Sequence, residues 1–257
     1  MPAALLTLED RRIEYRWIAG SHPNAATLVM LHEGLGSLSL WKDFPERLAA
    51  ATGCRVLVHS RHGYGGSSSL HAPRGTDYMH EEARVWLPRL LRALEVRRPI
   101  LFGHSDGASI ALIHAAQPDA DVAALILLAP HVMVEDLTVR NIERARIAFR
   151  ETDLKERLAR HHHDAEATFR GWNDIWLDPA FRTWNIEALL GAIRCPVLAI
   201  QGREDEYGTL EQLEILRRAL PETELQVLEN CRHSPHQDQP QAVLDATREF
   251  LAARGLA

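Results

Sequence analysis

The chain has 257 residues, 46% of them hydrophobic and 25% charged, and carries a net charge of −6 at pH 7. These values suit one globular α/β domain with an insertion. The acidic balance excludes the basic patch that a nucleic-acid surface needs, and the longest apolar run, residues 122–130, falls well short of the roughly 18–20 residues of a membrane span.

The chain opens Met1-Pro2-Ala3-Ala4-Leu5-Leu6, without a basic stretch, and meets Glu9 and Asp10 at once, so no signal peptide is expected. Residues 12–18 alternate weakly and are expected to form an antiparallel edge strand. Thr27-Leu28-Val29-Met30-Leu31 is a short buried strand running into His32-Glu33-Gly34-Leu35-Gly36-Ser37, a glycine-bearing loop. A helix is expected over residues 40–51, a strand over 55–59, and then Ser60-Arg61-His62-Gly63-Tyr64-Gly65-Gly66-Ser67, turn chemistry throughout. A helix over residues 77–94 is expected to start at Asp77 as N-cap and to kink at Pro88.

Residues 99–102 read as a strand feeding Gly103-His104-Ser105-Asp106-Gly107, with a helix after it over 108–116. Residues 122–129 lack a polar face, as a parallel strand covered on both sides should. Strands alternating with helices in this way indicate βαβ units. Residues 132–190 are helical in pattern, charged and rich in aromatics, with no strand-like run. They are expected to be a helical cap inserted between core segments 1–131 and 191–257. Strands at 196–200 and 224–228 and helices at 210–219 and 241–253 complete the core.

A strand-to-helix turn as tight as Gly103-His104-Ser105-Asp106-Gly107 lifts its central side chain clear of the sheet, and the glycines leave room for it. Ser105 then sits beside a helix N-terminus whose N–H groups can hold a developing oxyanion. A serine hydroxyl needs a base to take its proton and a carboxylate to orient the base. Asp205 follows the strand at 196–200, and His233 follows the strand at 224–228. Functional groups of a doubly wound sheet collect at such carboxyl ends of strands. Glu204 and Glu206 flank Asp205 as rival acids, and His236 is the rival base, three residues past His233. The oxyanion hole should use the N–H of Asp106 and one more from the 32–36 loop, from Gly34 or Glu33.

With five motifs in order, at residues 31–37, 60–67 and 103–107, Gly202-Arg203-Glu204-Asp205, and Cys231-Arg232-His233-Ser234-Pro235-His236-Gln237-Asp238-Gln239-Pro240, the chain resembles the α/β-hydrolase superfamily over nearly its whole length. The resemblance implies a mostly parallel eight-stranded doubly wound sheet, a cap over the active site, and no cofactor. By that alignment Gly34 supplies the second oxyanion N–H. Members usually carry Gly where this chain has Glu33; its carboxylate is expected to pair with Arg61 or Arg203, and otherwise to tune substrate choice or proton transfer. Serine at 105 argues against the haloalkane and epoxide chemistry of members with a nucleophilic aspartate.

Other readings are plainer. His161-His162-His163 cannot face one metal ion from a helix, so a solvated helix face and no metal are expected. His32 is expected to be a structural hydrogen-bonder. Trp172, Trp176 and Trp184 are expected to pack within the cap, although Trp172 and Trp176, four apart, share a face and one of them would line the pocket. Cys54, Cys195 and Cys231 are odd in number, widely spaced and without a Cys-x-x-Cys pair, so reduced thiols in a cytoplasmic protein are expected. The expected function is a cofactor-independent serine hydrolase of a small carboxylic ester, thioester or lactone. The alternatives are a lyase or carbon–carbon bond hydrolase acting on a dienoate, and a ligand-binding member without turnover. The partner is a small-molecule substrate, and the oligomeric state is left open.

Overall fold

The computed structural model describes residues 2–22, 25–70 and 72–257; Met1, at the head of the segment read for a leader, lies outside them. Chain order is β1 (Ala4–Leu8), β2 (Arg11–Ile18), β3 (Leu28–Leu31), a 3₁₀ turn at Ser39–Trp41, α1 (Phe44–Thr52), β4 (Val56–His59), α2 (Tyr78–Glu81), a π turn at Glu82–Trp86, α3 (Leu87–Ala93), β5 (Ile100–His104), α4 (Asp106–Ala115) and β6 (Ala124–Leu128). Then come α5 (Asp136–Glu151), α6 (Leu154–Ala159), α7 (Ala165–Trp176), a 3₁₀ turn at Pro179–Thr183, α8 (Glu187–Leu190), β7 (Val197–Gly202), α9 (Glu211–Ala219), β8 (Glu224–Leu228), α10 (Pro235–Asp238) and α11 (Pro240–Ala252).

The strands form one eight-stranded sheet in the order β1-β2-β4-β3-β5-β6-β7-β8. β1 and β2 pair antiparallel, as do β2 and β4; the other pairs are parallel. β5 and β6 are buried at every position, and their side chains divide between the two faces with period two. Leu101, Leu125 and Leu127 join a core with α4 and the α5–α8 segment, whereas Ile100, Phe102, Ala124 and Ile126 pack with α1 and α11. Each fully buried Leu, Ile or Phe among them contributes about 1.5–3 kcal/mol of apolar transfer. Among the described residues no helix is long and apolar enough to cross a membrane.

Three local expectations need correction. The segment at 12–18 is β2, the second strand and not the edge; β1, too short and too exposed to show a clear alternation, lies outside it. The helix expected over 40–51 is split, because Lys42 takes a positive φ of 54° and Pro45 belongs to the first turn of α1. The helix expected over 77–94 runs without a break over 78–93, through α2, the π turn and α3, with its proline, Pro88, in the first turn of α3. The chain widens into the π turn just before it, which accommodates the missing N–H and the ring, and Asp77 precedes α2 without a capping side-chain bond. Between β6 and β7 the regular elements are the helices α5 to α8 and a 3₁₀ turn, joined by loops, with an isolated bridge between Met133 and Asn185.

Candidate active site

β5 delivers Ser105 to the carboxyl end of the sheet, where α4 starts. Ser105 holds φ 52° and ψ −118°, a strained conformation for a residue with a Cβ. Close approach of backbone explains the flanking glycines. A Cβ on Gly107 would meet the Leu31 carbonyl oxygen at 2.0 Å, and one on Gly103 would meet the Gly107 carbonyl oxygen at 2.5 Å. Asp106 is the first residue of α4, where helix geometry leaves the N–H without an intrahelical partner.

The loops after β7 and β8 bring two further side chains to Ser105. His233 Nε2 lies 3.0 Å from Ser105 Oγ, and His233 Nδ1 lies 2.8 Å from Asp205 Oδ1. Asp205 also accepts from the N–H groups of Tyr207 (2.8 Å) and Gly208 (3.2 Å) and from Gln201 Nε2 (3.1 Å). Burial alone would raise its carboxyl, but the charge and hydrogen bond of His233 and the Tyr207 N–H hold it below the usual carboxylate range. Burial likewise pulls His233 down, while the Asp205 charge and hydrogen bond, then Glu206 and Glu33, push it above the ordinary histidine value.

The rival groups are occupied elsewhere. Glu204 accepts from the Cys231 N–H at 2.8 Å, and Glu206 pairs with Arg232 at 2.9 Å. His236 packs against Trp41, Phe44 and His104, with ring centroids 4.7, 5.6 and 4.9 Å away. Burial lowers its pKa to about 3. His32 is a structural hydrogen-bonder, as expected. Its Nδ1–H donates to the Glu33 carbonyl at 2.7 Å, and its Nε2 accepts from the Arg61 N–H at 3.0 Å.

A recess of about 110 Å³, partly open to solvent, lies over Ser105. Glu33, Gly34, Asp106, Trp172, Trp176 and His233 line it, together with Leu35, His131, Thr138, Ile142 and Tyr207, which sequence reasoning missed. Both tryptophans reach the recess, and a Cβ on Gly34 would strike Trp172 Nε1 at 2.1 Å. His131 follows the end of β6, so the strand-end rule that found the other residues also points to it. Tyr207, Thr138 and Ile142 carry no such signal.

Glu33 departs from expectation. Arg61 reaches only its main-chain carbonyl, at 2.9 Å, and Arg203 pairs with Glu229. The Glu33 carboxylate instead faces His104, with Oε2 3.5 Å from Nδ1. Burial would raise its pKa, but the hydrogen bond and charge of His104, with His32 and His236 beyond, bring it far below the usual range. Behind the nucleophile, Trp176 Nε1 donates to the Tyr78 hydroxyl (3.1 Å), which donates to Asp106 Oδ2 (2.6 Å), and Arg61 Nη2 stands 3.9 Å from the same oxygen.

The three consecutive histidines are not a solvated helix face. They follow α6, and their contacts diverge. His162 is buried, accepting from the Gly65 N–H at 3.0 Å and donating to the Leu35 carbonyl at 2.9 Å, while His161 bonds Ser39. Among the described residues no group of three or more metal-ligating side chains is placed to hold an ion.

The sequence profile of the alpha/beta hydrolase family matches residues 28–246, and the chain belongs to that family. The chain is 28% identical to "Putative carbamate hydrolase RutD" of Pseudomonas savastanoi pv. phaseolicola, over 89% of this chain and 95% of the relative. It is 22% identical to the sn-1-specific diacylglycerol lipase ABHD11 of Mus musculus, over 88% and 80% respectively. Among solved structures, the enol-lactonase from Burkholderia xenovorans LB400 superposes with a TM-score of 0.75 at 20% identity, covering 97% of this chain and 100% of its own.

Proposed function

We propose that this protein is a serine hydrolase acting on a small carboxylic ester, thioester or lactone, without a cofactor. The carrying observation is the unbroken relay of Ser105 Oγ, His233 Nε2, His233 Nδ1 and Asp205 Oδ1, with contacts of 3.0 and 2.8 Å. His233 takes the Ser105 proton as Oγ bonds to the carbonyl carbon. The oxygen that becomes negative is held by the N–H of Asp106 and a second from Gly34. Collapse of the tetrahedral adduct expels the alcohol or thiol, which leaves with the proton from His233. Water then repeats the sequence, with His233 taking its proton and Ser105 leaving with one. Asp205 keeps the imidazole in one tautomer and offsets its transient charge. The segment at 132–190 serves as a cap: Trp172 and Trp176 on α7 set the size of the group that fits and limit bulk water.

The dienoate lyase or carbon–carbon hydrolase alternative has less support. A dienoate brings a carboxylate, and among the described residues none of those lining the recess is Lys or Arg. The test is turnover of p-nitrophenyl acetate and butyrate by the native protein and by Ser105→Ala. Loss of about 10³-fold or more is expected in the variant, and equal rates would overturn the assignment.

A further inference from the structure

The recess is lined by a carboxylate that the hydrolytic relay does not use, that of Glu33. Two neighbours fix its place. Gly36 makes room for it, since a Cβ there would meet Glu33 Oε2 at 2.4 Å. His104 stands on its buried side. His104 Nε2 lies 2.8 Å from the His233 main-chain carbonyl, an acceptor only, so that nitrogen carries a proton. Its Nδ1 faces Glu33 Oε2 at 3.5 Å. The Glu33 carboxylate thus lies between a buried imidazole and the recess, and its side chain is 25% exposed.

Apart from His233, which the relay uses in its neutral form, no lining side chain among the described residues supplies a cation to offset the Glu33 charge. Arg61 is buried behind the recess beside Asp106, and the Asp106 carboxylate is itself engaged by Tyr78. His131 stays neutral at pH 7, because burial lowers its pKa to about 3. Trp172, Trp176 and Tyr207 supply aromatic surface, whose π faces attract cations.

Resting on the hydrolase reading above, we infer that Glu33 is a specificity-determining residue that selects a substrate bearing a positively charged ammonium group near the scissile carbonyl and rejects one bearing an anion. The substrate class is thus an ester, thioester or lactone of a small amine-bearing acid or alcohol. The charge acts in the recess itself, so it changes the order of substrates as well as the overall rate.

Two isosteric sets of probes test this. On the acyl side they are p-nitrophenyl esters of 4-(trimethylammonio)butyrate, 5,5-dimethylhexanoate and 4-sulfobutyrate. On the alcohol side they are butyrate esters of choline, 3,3-dimethylbutanol and isethionate. In at least one set the native protein is expected to favour the cation over the anion by about tenfold or more in kcat/KM, and Glu33→Gln is expected to remove most of that ratio. An anionic ester used as well as the cationic one in both sets, or a ratio unchanged in Glu33→Gln, overturns the inference and leaves the hydrolase reading intact. Absence of turnover for every ester counts against the hydrolase reading instead. Binding of the same probes to Ser105→Ala, followed by tryptophan fluorescence, then judges the charge order by itself, and no preference for the cations there overturns it. If Glu33→Gln fails to fold, the order found with the native protein decides.

Discussion

Gln201, on β7, donates its side-chain N–H to Asp205 Oδ2 at 3.1 Å and so fixes the carboxylate whose other oxygen meets His233. Asp205 therefore accepts from donors on every side: an imidazole, an amide and two main-chain N–H groups.

Asp205→Asn is expected to place an amide N–H against one of those donors and to stabilise the wrong imidazole tautomer. The expected result is a fall of about 10³–10⁴-fold in kcat with a native circular dichroism spectrum. Full activity in a folded Asp205→Asn protein would remove the carboxylate from the relay.

The pH profile follows from His233. A base works only when neutral, and Asp205 raises the pKa of this imidazole against the downward pull of burial. The acidic limb of kcat/KM is therefore expected above the ordinary histidine value of about 6.5. A limb centred well below that value would contradict the reading. For stability the sign is opposite to the rate: the raised folded pKa gives a contribution present in acid and lost as pH rises through it.

Other imidazoles pull stability the other way. Burial lowers His32, His114 and His162, and lowers His59, His131 and His236 to about 3. Unfolding lets each bind a proton once the pH is below about 6.5, so stability present above that value is lost as pH falls. These groups outnumber His233. Thermal unfolding is expected to drop by about 5 °C or more between pH 7.5 and 5.5, and a flat or rising midpoint would contradict the burial of neutral rings.

Two glycines separate folding from recognition. Gly107→Ala drives a Cβ against the Leu31 carbonyl, which is backbone and cannot turn aside. It is expected to cost about 3 kcal/mol in urea unfolding. Gly34→Ala meets first the Trp172 indole, a side chain rather than backbone. It is expected to cost about 1 kcal/mol and to change KM through the displaced ring. Equal stability losses in the two variants would contradict this division.

The sheet and the relay were legible because each rests on a local signal. Parallel strands covered on both faces, such as β5 and β7, read as apolar runs and are followed by Ser105 and Asp205, while His233 follows the edge strand β8, in the chain order of this family. What escaped depends on contacts across the fold. Nothing near Glu33 in sequence names His104 as its neighbour; the pairing arises because β3 and β5 are adjacent in the sheet and their loops leave the same edge. His162 looked like surface because its two flanking histidines suggested a polar stretch, whereas its partners are Gly65 and Leu35, about a hundred residues away. β1 was missed because an exposed five-residue strand has little apolar alternation to read.

The file of hydrogen bonds from Trp176 through Tyr78 to Asp106 runs from α7, in the helical segment between β6 and β7, through α2 to α4 and ends one residue past Ser105. That segment is thus no interchangeable module. Transplanting the corresponding stretch of a relative lacking an indole at this point would strand the Tyr78 oxygen without its donor and loosen the neighbour of the nucleophile, so exchanging substrate preference between such proteins requires carrying α2 along with the graft.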